Sequence, residues 1–473
     1  MLVLSVLPIV FLAVALAVFK VKAHKAAFGA ALLAVAVARG FFGANLTWAA
    51  TGVVVLDGVG FALYPICLVV LAALFVYSLT VESGAMVTIR SGLSRVSSDA
   101  RVLALLIVWG FGNFMEGMAG FGTAVAIPAA ILVGVGFDPL KAVLVCLVVN
   151  TTPTAFGSVG VPVAILAKVC GCDAAALTWV TAALQLAITA LGPFLVLLVC
   201  GGRAALRGMM GLALVADAAF LVPWLLAARF LGPGLPDILG GLSVLAGVSL
   251  AVTKGRLAGG DFRAQALAWA PFGFVVLLLS ASVLLPSGWQ RVASPGVLVL
   301  LAGFLGGAVQ RLSFRRSLRV LGKTFVSYWT AFATICCVLV LARVMTASGM
   351  IATLADALVS MTGAAYPFFA PVVGALGGFV TGSGTNANVL FGALQVRAAT
   401  QLGVSANLLA AANVMGAGIG KMICPQSIAI GTAAALIPGR AGEVFRSVLK
   451  WFLAVILLAC LVCGLSAACS KPS

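Results

Sequence analysis

Two ionisable residues, Glu116 and Lys421, lie within long apolar stretches of this sequence. The carboxyl group of Glu116 can bind a proton, and the ammonium group of Lys421 can bind an anion. Ionisable side chains inside apolar segments of this length are rare and usually functional. Glu116 could carry a coupling proton, because burial favours the neutral form of a carboxyl group; a structural ion pair with a nearby cation accounts for it equally well. Lys421 could attract a substrate anion or pair with Glu116. The sequence leaves open whether the two residues meet.

Glycine, threonine and asparagine interrupt the apolar sequence near both residues, in two stretches with the same order. Gly120-Phe121-Gly122-Thr123 is followed by Asn150, Gly157 and Pro162, as Gly382-Ser383-Gly384-Thr385 is followed by Asn413, Gly420 and Pro425. The last three residues of each set have identical spacings in the two stretches. Broken helices at corresponding positions of two halves are the best sequence indication of a transporter's substrate site.

These residue types suit the tips of helices that end inside a membrane. Glycine allows a sharp turn and a close approach to a ligand. We expect Thr123 and Thr385 to cap the arms that follow them, and Thr152 to cap a helix that begins at Pro153. Helix N-termini that converge in this way carry partial positive charge, which favours a carboxylate ligand. The alternative is that the small residues only permit close helix packing.

The predicted substrate site combines the two tips with polar residues of the two breaks. Its residues are Gly120, Gly122, Thr123, Asn150, Thr151, Thr152, Ser383, Thr385, Asn386, Asn413, Lys421, Gln426 and Ser427. Glu116 is the predicted residue for the coupling proton. We expect no metal or other cofactor, because the 11 cysteines are scattered and only Cys170 and Cys172 lie together, too few for a zinc site.

The composition is that of a polytopic membrane protein. Hydrophobic residues make up 63% of the chain and charged residues 8%, and apolar runs of bilayer-spanning length recur throughout. We predict an all-α fold of about twelve transmembrane helices and two re-entrant hairpins at 101–136 and 364–401, whose arms are too short to cross a bilayer comfortably. The predicted spans are 2–19, 26–43, 57–81, 140–168, 175–200, 208–230, 234–252, 267–286, 294–310, 324–346, 404–437 and 446–469.

The net charge of +17 reflects membrane topology rather than binding to nucleic acid. Basic residues cluster in short loops, which is typical of segments that face the cytoplasm, and the sequence offers no soluble domain to carry a nucleic-acid surface. Gly416–Lys421 resembles a phosphate-binding loop, but Met422 stands where serine or threonine is required. Since no nucleotide-binding domain is predicted, a gradient must drive transport.

The distribution of charge also predicts that the two halves have opposite orientations. The segment before the first hairpin carries Arg90 and Arg95, whereas the corresponding segment of the second half carries Asp356 and no basic residue until Arg397. This pattern predicts an inverted repeat, with one hairpin entering from each side of the membrane. The predicted domains are N-terminal scaffold helices at 1–56, the first repeat at 57–200 with hairpin 101–136 and broken helix 140–168, central scaffold helices at 201–323, and the second repeat at 324–473 with hairpin 364–401 and broken helix 404–437.

Several segments of the chain resemble signature sequences of the lactate permease family. The similar segments are Asn113–Ala130, Asn150–Gly157, Gly232–Asp237, Thr381–Gln395 and Gly420–Ala429. The resemblance covers most of the chain. It implies a multi-pass permease of the bacterial inner (plasma) membrane that imports L-lactate, D-lactate or glycolate by proton symport. It also implies an elevator motion of the substrate site on a scaffold that forms a homodimer.

The residues and the resemblance together predict a secondary active transporter for small 2-hydroxymonocarboxylates, whose partners are protons, the carboxylate and the lipid bilayer. Sodium coupling is the main alternative, because unwound carbonyls near Asn150 and Asn413 could hold a cation; an anion channel is a further one. An enzyme is disfavoured, since no nucleophile–base pair or metal cluster is evident. Gly384 and Val414-Met415 are less polar than is typical of the family, which leaves the preferred acid open.

Overall fold

The computed structural model of the protein describes residues 1–19, 21–42, 47–254, 261–282 and 294–469. Every regular element in these ranges is a helix. Ten helical spans in these ranges, or eleven if one bent pair is counted as a single span, are long and apolar enough to cross a bilayer core. Two of the ten, Ala174–Ala205 and Met350–Thr381, each combine two consecutive helices. The chain is therefore an all-α, multi-pass membrane protein, as its composition predicts.

The described helices are numbered here in chain order. They are α1 Leu2–Ala17, α2 Ala23–Phe41, α3 Trp48–Glu82, α4 Ala85–Ser94, α5 Ala100–Met118, α6 Thr123–Gly134, α7 Pro139–Val149, α8 Gly157–Cys170, α9 Ala174–Thr189, α10 Gly192–Ala205, α11 Met210–Phe230, α12 Pro236–Thr253, α13 Phe262–Ser282, α14 Pro295–Val309, α15 Phe314–Ser348, α16 Met350–Thr362, α17 Tyr366–Thr381, α18 Gly384–Leu402, α19 Ala406–Lys421, α20 Pro425–Ala434 and α21 Ala441–Cys469. α3 and α5 contain π-helical segments at Ala62–Cys67 and Leu105–Gly112.

The described residues contain fewer helices of bilayer length than the predicted total of about twelve. α1 and α14, at the predicted spans 2–19 and 294–310, have only 16 and 15 residues. The predicted span 140–168 is divided into helices of 11 and 14 residues, because the backbone unwinds at its polar centre. Conversely, α5 has 19 residues, so the first arm of the first hairpin is longer than predicted. The predicted ends at 43 and 283–286 lie outside the described residues.

Two helix–turn–helix hairpins occupy the places predicted for hairpins. Hairpin 1 consists of α5 and α6 joined by residues 119–122, and hairpin 2 consists of α17 and α18 joined by Gly382 and Ser383. The arms of each hairpin pack against one another. The hairpin 1 turn has left-handed backbone angles at Gly120 and Gly122, with φ of 62° and 85°. Glycine adopts these angles at little cost, so the turn closes within a few residues.

Broken helix 1 consists of α7 and α8. Residues 150–156 between them form turns rather than a helix. The backbone is left-handed at Ser158, Val159 and Gly160, so a regular right-handed helix resumes only near Pro162. An unwound segment of this length exposes peptide groups to the centre of the protein.

Broken helix 2 consists of α19 and α20. α19 runs without interruption through Asn413 to Lys421, and the chain then bends by 46° before Pro425 begins α20. The two broken helices therefore resume at corresponding prolines but break at different positions. The expectation that the second helix unwinds at Asn413 is wrong: α19 continues through this residue, and the Asn413 side chain donates a hydrogen bond to Asn388 of hairpin 2.

The helices between the repeats pack in two separate places. α11 and α12 pack together, and α12 lies along α5 of hairpin 1. α13 and α14 pack together and contact α3 and α4, while the 35-residue α15 packs against α2 and α3. The region 201–323, predicted as a central scaffold, thus divides between hairpin 1 and the N-terminal helices.

Candidate functional site

A buried ion pair joins the two ionisable residues that the sequence singles out. Nζ of Lys421 lies 2.7 Å from Oε1 of Glu116, and the two side chains are 6% and 3% exposed. Glu116 lies near the end of α5, close to the hairpin 1 turn, and Lys421 is the last residue of α19. Oε2 of Glu116 has no hydrogen-bond partner among the described residues. Because a buried charge without a partner is strongly destabilised, a ligand that displaces one member of the pair must leave the other neutral or paired again.

The ion pair lines a cavity of about 90 Å³ between the hairpin turns and the helix breaks. Its other polar or glycine lining residues are Gly122, Thr154, Gly157, Ser158, Thr334, Thr381, Gly382, Ser383, Gly384, Thr385, Asn386, Gln426 and Ser427. Among the described lining residues, Lys421 is the only cation. The cavity has room for an anion of a few non-hydrogen atoms.

A larger cavity of about 900 Å³ adjoins this site. The two cavities share Thr334, Thr381 and Gln426 in their walls. Lys22, which is exposed, and His24 line the larger cavity at the start of α2. A basic residue in this position attracts anions and raises their local concentration near the site.

The turn of hairpin 2 directs the N-terminus of α18 into the small cavity. Ser383 is the N-cap residue, and its Oγ accepts a hydrogen bond from the amide of Asn386 at 3.3 Å. The hydroxyl of Thr381 donates to the carbonyl oxygens of Gly377 and Ser383 at 2.8 and 3.0 Å. The prediction that Thr385 caps this helix is wrong, because Ser383 occupies the N-cap position and Thr385 lies inside the helix. A helix N-terminus in a cavity wall can bind a carboxylate.

The turn of hairpin 1 is braced from within. Thr123 does not cap α6; its hydroxyl donates to the carbonyl oxygens of Gly120 and Met115 at 2.8 and 3.1 Å. Ser158 of broken helix 1 donates to the carbonyl oxygen of Ala119 at 3.0 Å. A Cβ atom at Gly120 would overlap Ser158 Oγ. Of the predicted hairpin 1 residues, Gly122 lines the cavity, while Gly120 and Thr123 hold the turn in place.

The first break places Thr154, rather than its predicted neighbours, in the cavity wall. Thr154 donates to the carbonyl oxygen of Asn150 at 2.7 Å, and Thr151 donates to that of Val148 at 3.1 Å. Thr152 does not cap a helix at Pro153, because the backbone remains in turns through residue 156. Asn150, Thr151 and Thr152 are buried but do not line the cavity.

Asn413 belongs to a buried network of amides rather than to the cavity wall. Its Nδ2 donates to Oδ1 of Asn388 at 3.0 Å, and its Oδ1 accepts from Gln395 at 3.4 Å. Asn388 donates to the carbonyl oxygen of Pro162 at 3.1 Å, and Tyr366 donates to Gln395 at 3.0 Å. These bonds join hairpin 2 to both broken helices, so they fix the geometry of the site from behind.

Four polar lining residues were not anticipated: Thr154, Ser158, Thr334 and Thr381. Two of them carry a sequence signal. Ser158 occupies the position in the first motif that Lys421 occupies in the second, one residue after the matching glycine. Thr381 immediately precedes the second Gly-x-Gly-Thr motif. Thr334 lies within the long α15, and its sequence context gives no such signal.

Comparison with known proteins gives consistent matches over the chain. A family model described as L-lactate permease matches residues 1–256 and 268–469. The L-lactate permease of Streptococcus iniae is 38% identical over 444 residues, which cover 86% of this chain and 93% of that protein. The glycolate permease GlcA of Escherichia coli (strain K12) is 32% identical over 519 residues, with coverages of 94% and 92%. The structure of MtrF from Neisseria gonorrhoeae aligns with a TM-score of 0.49 at 17% identity, covering 87% of this chain and 83% of that one.

Proposed function

This chain belongs to the L-lactate permease family, and on that premise we propose that it imports small 2-hydroxymonocarboxylates, such as lactate and glycolate, by proton symport. It is a multi-pass permease of the bacterial inner membrane and not an enzyme. The single observation that carries the proposed mechanism is the 2.7 Å pair between Glu116 and Lys421 in the wall of a small cavity.

The ion pair links anion binding to proton binding. A substrate carboxylate that binds Lys421 competes with Glu116 for the same ammonium group. If Glu116 stayed ionised, two buried anions would then share one cation, which is costly at low dielectric. Protonation of Glu116 removes that cost and restores neutrality. Anion and proton therefore bind together, and both leave when Glu116 pairs with Lys421 again.

The remaining lining residues recognise the rest of the substrate. The N-terminal amides of α18 and the side chain of Asn386 bind the second carboxylate oxygen. Gln426 and Ser427, at the start of α20, bind the 2-hydroxyl group. The cavity volume of about 90 Å³ restricts the site to short-chain acids.

We further propose that hairpins 1 and 2 are re-entrant and form an inverted repeat that moves as an elevator. The moving unit comprises both hairpins, both broken helices and α11–α12, which pack against hairpin 1. The scaffold comprises α1–α4 and α13–α15 and forms a homodimer. The larger cavity has Lys22 and His24 in its wall; since basic loops face the cytoplasm, this conformation is open to the inside.

Sodium coupling remains a second candidate because of one observation. Oδ1 of Asn150 is buried and has no hydrogen-bond partner among the described residues. It lies at the start of an unwound segment, and carbonyl oxygens of such segments coordinate sodium in other transporters.

Uptake of radiolabelled lactate into proteoliposomes tests the proposed function. With sodium absent and the membrane potential clamped, an inwardly directed proton gradient should drive lactate above its external concentration. Accumulation that requires a sodium gradient would favour the second candidate. Equilibration without accumulation under either gradient would indicate a channel and contradict both.

A further inference from the structure

A third buried ionisable residue, Asp237, lies in the first turn of α12. Asp237 is buried, with only 1% of its surface exposed. Oδ1 accepts a hydrogen bond from the indole nitrogen of Trp224 at 3.0 Å. Oδ2 has no partner among the described residues. The proposed transport cycle makes no use of this carboxyl group.

Asp237 lies directly behind the ion pair. A Cβ atom at Gly117, the neighbour of Glu116, would come within 2.9 Å of Asp237 Cβ. The carboxyl groups of Asp237 and Glu116 are near enough to interact electrostatically. The ring of Trp224 in turn packs edge-on against Phe156 in the first break, with centroids 5.5 Å apart. Asp237 is therefore in contact with hairpin 1 and, through Trp224, with the first helix break.

The buried charges do not balance. Among the described residues, Glu116, Asp237 and Lys421 are the only Asp, Glu, Lys or Arg residues that are buried. Two carboxylates and one ammonium group leave one negative charge without a buried counter-ion. A buried carboxylate in that position usually takes up a proton rather than bear the cost of desolvation.

Other charged residues on the helices that pack against α12 do not correct this imbalance. Arg229 on α11 is exposed and lies over the ring of Trp179. Arg101 on α5 pairs with Asp99 at the opposite end of that helix. Asp217 on α11 is itself acidic, and it lies about two helical turns from the indole that contacts Asp237.

We propose that Asp237 is a second proton-binding site, which holds a proton while Glu116 is ionised and paired with Lys421. When substrate binds, its carboxylate replaces the carboxylate of Glu116 at Lys421, and the net charge of the buried groups does not change. Asp237 therefore keeps its proton throughout the cycle. This second statement rests on the proposed function. The neutral acid acts as a positioning residue for Trp224, and it spares the substrate carboxylate a repulsion that an ionised Asp237 would impose.

Infrared spectroscopy of the purified protein in lipid tests the resting state directly. At neutral pH without substrate, the wild type should show the carbonyl stretch of a neutral carboxylic acid. Isotopic labelling of aspartate should shift this band, whereas labelling of glutamate should not. This comparison uses only the wild-type protein. The band should be absent in Asp237→Asn and retained in Glu116→Gln and in the matched control Asp217→Asn. Absence of the band, or its persistence in a folded Asp237→Asn variant, would overturn the proposal.

Addition of lactate separates this proposal from the proposed function. Lactate should generate a second neutral-acid band that responds to glutamate labelling and is lost in Glu116→Gln. If only this second band is missing, proton coupling at Glu116 is wrong while the Asp237 site stands. Asp237→Asn, which mimics a neutral acid, should retain proton-driven uptake with an unchanged pH profile. Loss of accumulation with lactate exchange intact would show that Asp237 releases its proton during the cycle, against the proposal.

Discussion

Gly384 of hairpin 2 lies so close to Thr154 in the first helix break that a Cβ atom built on it would come within 2.7 Å of Thr154 Cγ2. Both residues line the small cavity. The start of α18 thus meets the unwound segment of the other half at the wall of this cavity, which is the proposed substrate site.

Gly384→Ala should reduce lactate transport more than glycolate transport. The added methyl group forces Thr154 into the cavity, and one methyl or methylene in a closely fitting site is worth about 1–3 kcal/mol, or tenfold and more in affinity. The measurement is the KM for each acid in proteoliposomes. Thr154→Ala in the same protein should restore lactate transport. If the KM for each acid is the same in the variant as in the wild type, this contact does not limit the size of the site.

Removing both charges of the ion pair should harm stability less than removing one. Glu116→Leu or Lys421→Met leaves a buried charge without its partner, at a cost of about 3–5 kcal/mol. The double variant replaces the pair with apolar groups of similar size and should recover most of the lost Tm in detergent. It should not transport lactate, because no cation remains in the cavity. A double variant less stable than both single variants would contradict the pairing.

Asn413→Ala should affect stability rather than substrate affinity. It leaves Oδ1 of Asn388 without its buried donor, at a cost of about 1–3 kcal/mol, whereas Gln395 keeps its bonds to Ala370 and Tyr366. Asn386→Ala is the matched comparison, because Asn386 lines the cavity and lies outside this network. We expect Asn413→Ala to lower Tm with little change in KM, and Asn386→Ala to raise KM with little change in Tm. The reverse pattern would move Asn413 into the binding site.

Ser383→Ala should raise the KM for lactate. The substitution removes the N-cap hydrogen bond of α18, which is worth about 1 kcal/mol, and frays the helix end whose amides bind the carboxylate. Ser383→Thr retains a hydroxyl acceptor and should transport nearly as well as the wild type. Unchanged KM in Ser383→Ala would mean that this helix end does not contact the substrate.

Composition and motif spacing were sufficient to predict the membrane-spanning all-α fold and the two hairpin turns, and they singled out Glu116 and Lys421 but left open whether these two residues meet. Long-range consequences of folding were not predictable in the same way. Asn413 matches Asn150 in sequence, yet α19 stays helical through Asn413 because its side chain finds amide partners on hairpin 2. Sequence spacing carries no information about those partners.

The capping predictions failed for a local reason. Thr123 and Thr385 have suitable side chains, but a threonine hydroxyl can also donate to nearby carbonyl oxygens. Thr123 does so, and its hydrogen bond stabilises the turn before it. In hairpin 2, the N-cap residue of α18 is Ser383, two residues before the predicted Thr385. The choice between these alternatives depends on backbone angles in the turn, which the residue types alone leave undetermined.

Glu116→Gln tests the central claim, that protonation of Glu116 couples the proton to the anion, most directly. Glutamine mimics the protonated acid and leaves Lys421 free for substrate. In proteoliposomes, the variant should still exchange internal for external lactate, at a rate independent of pH, and should fail to accumulate lactate in response to a proton gradient. If Glu116→Gln still accumulates lactate when a proton gradient is imposed, Glu116 is not the coupling residue and the account is wrong.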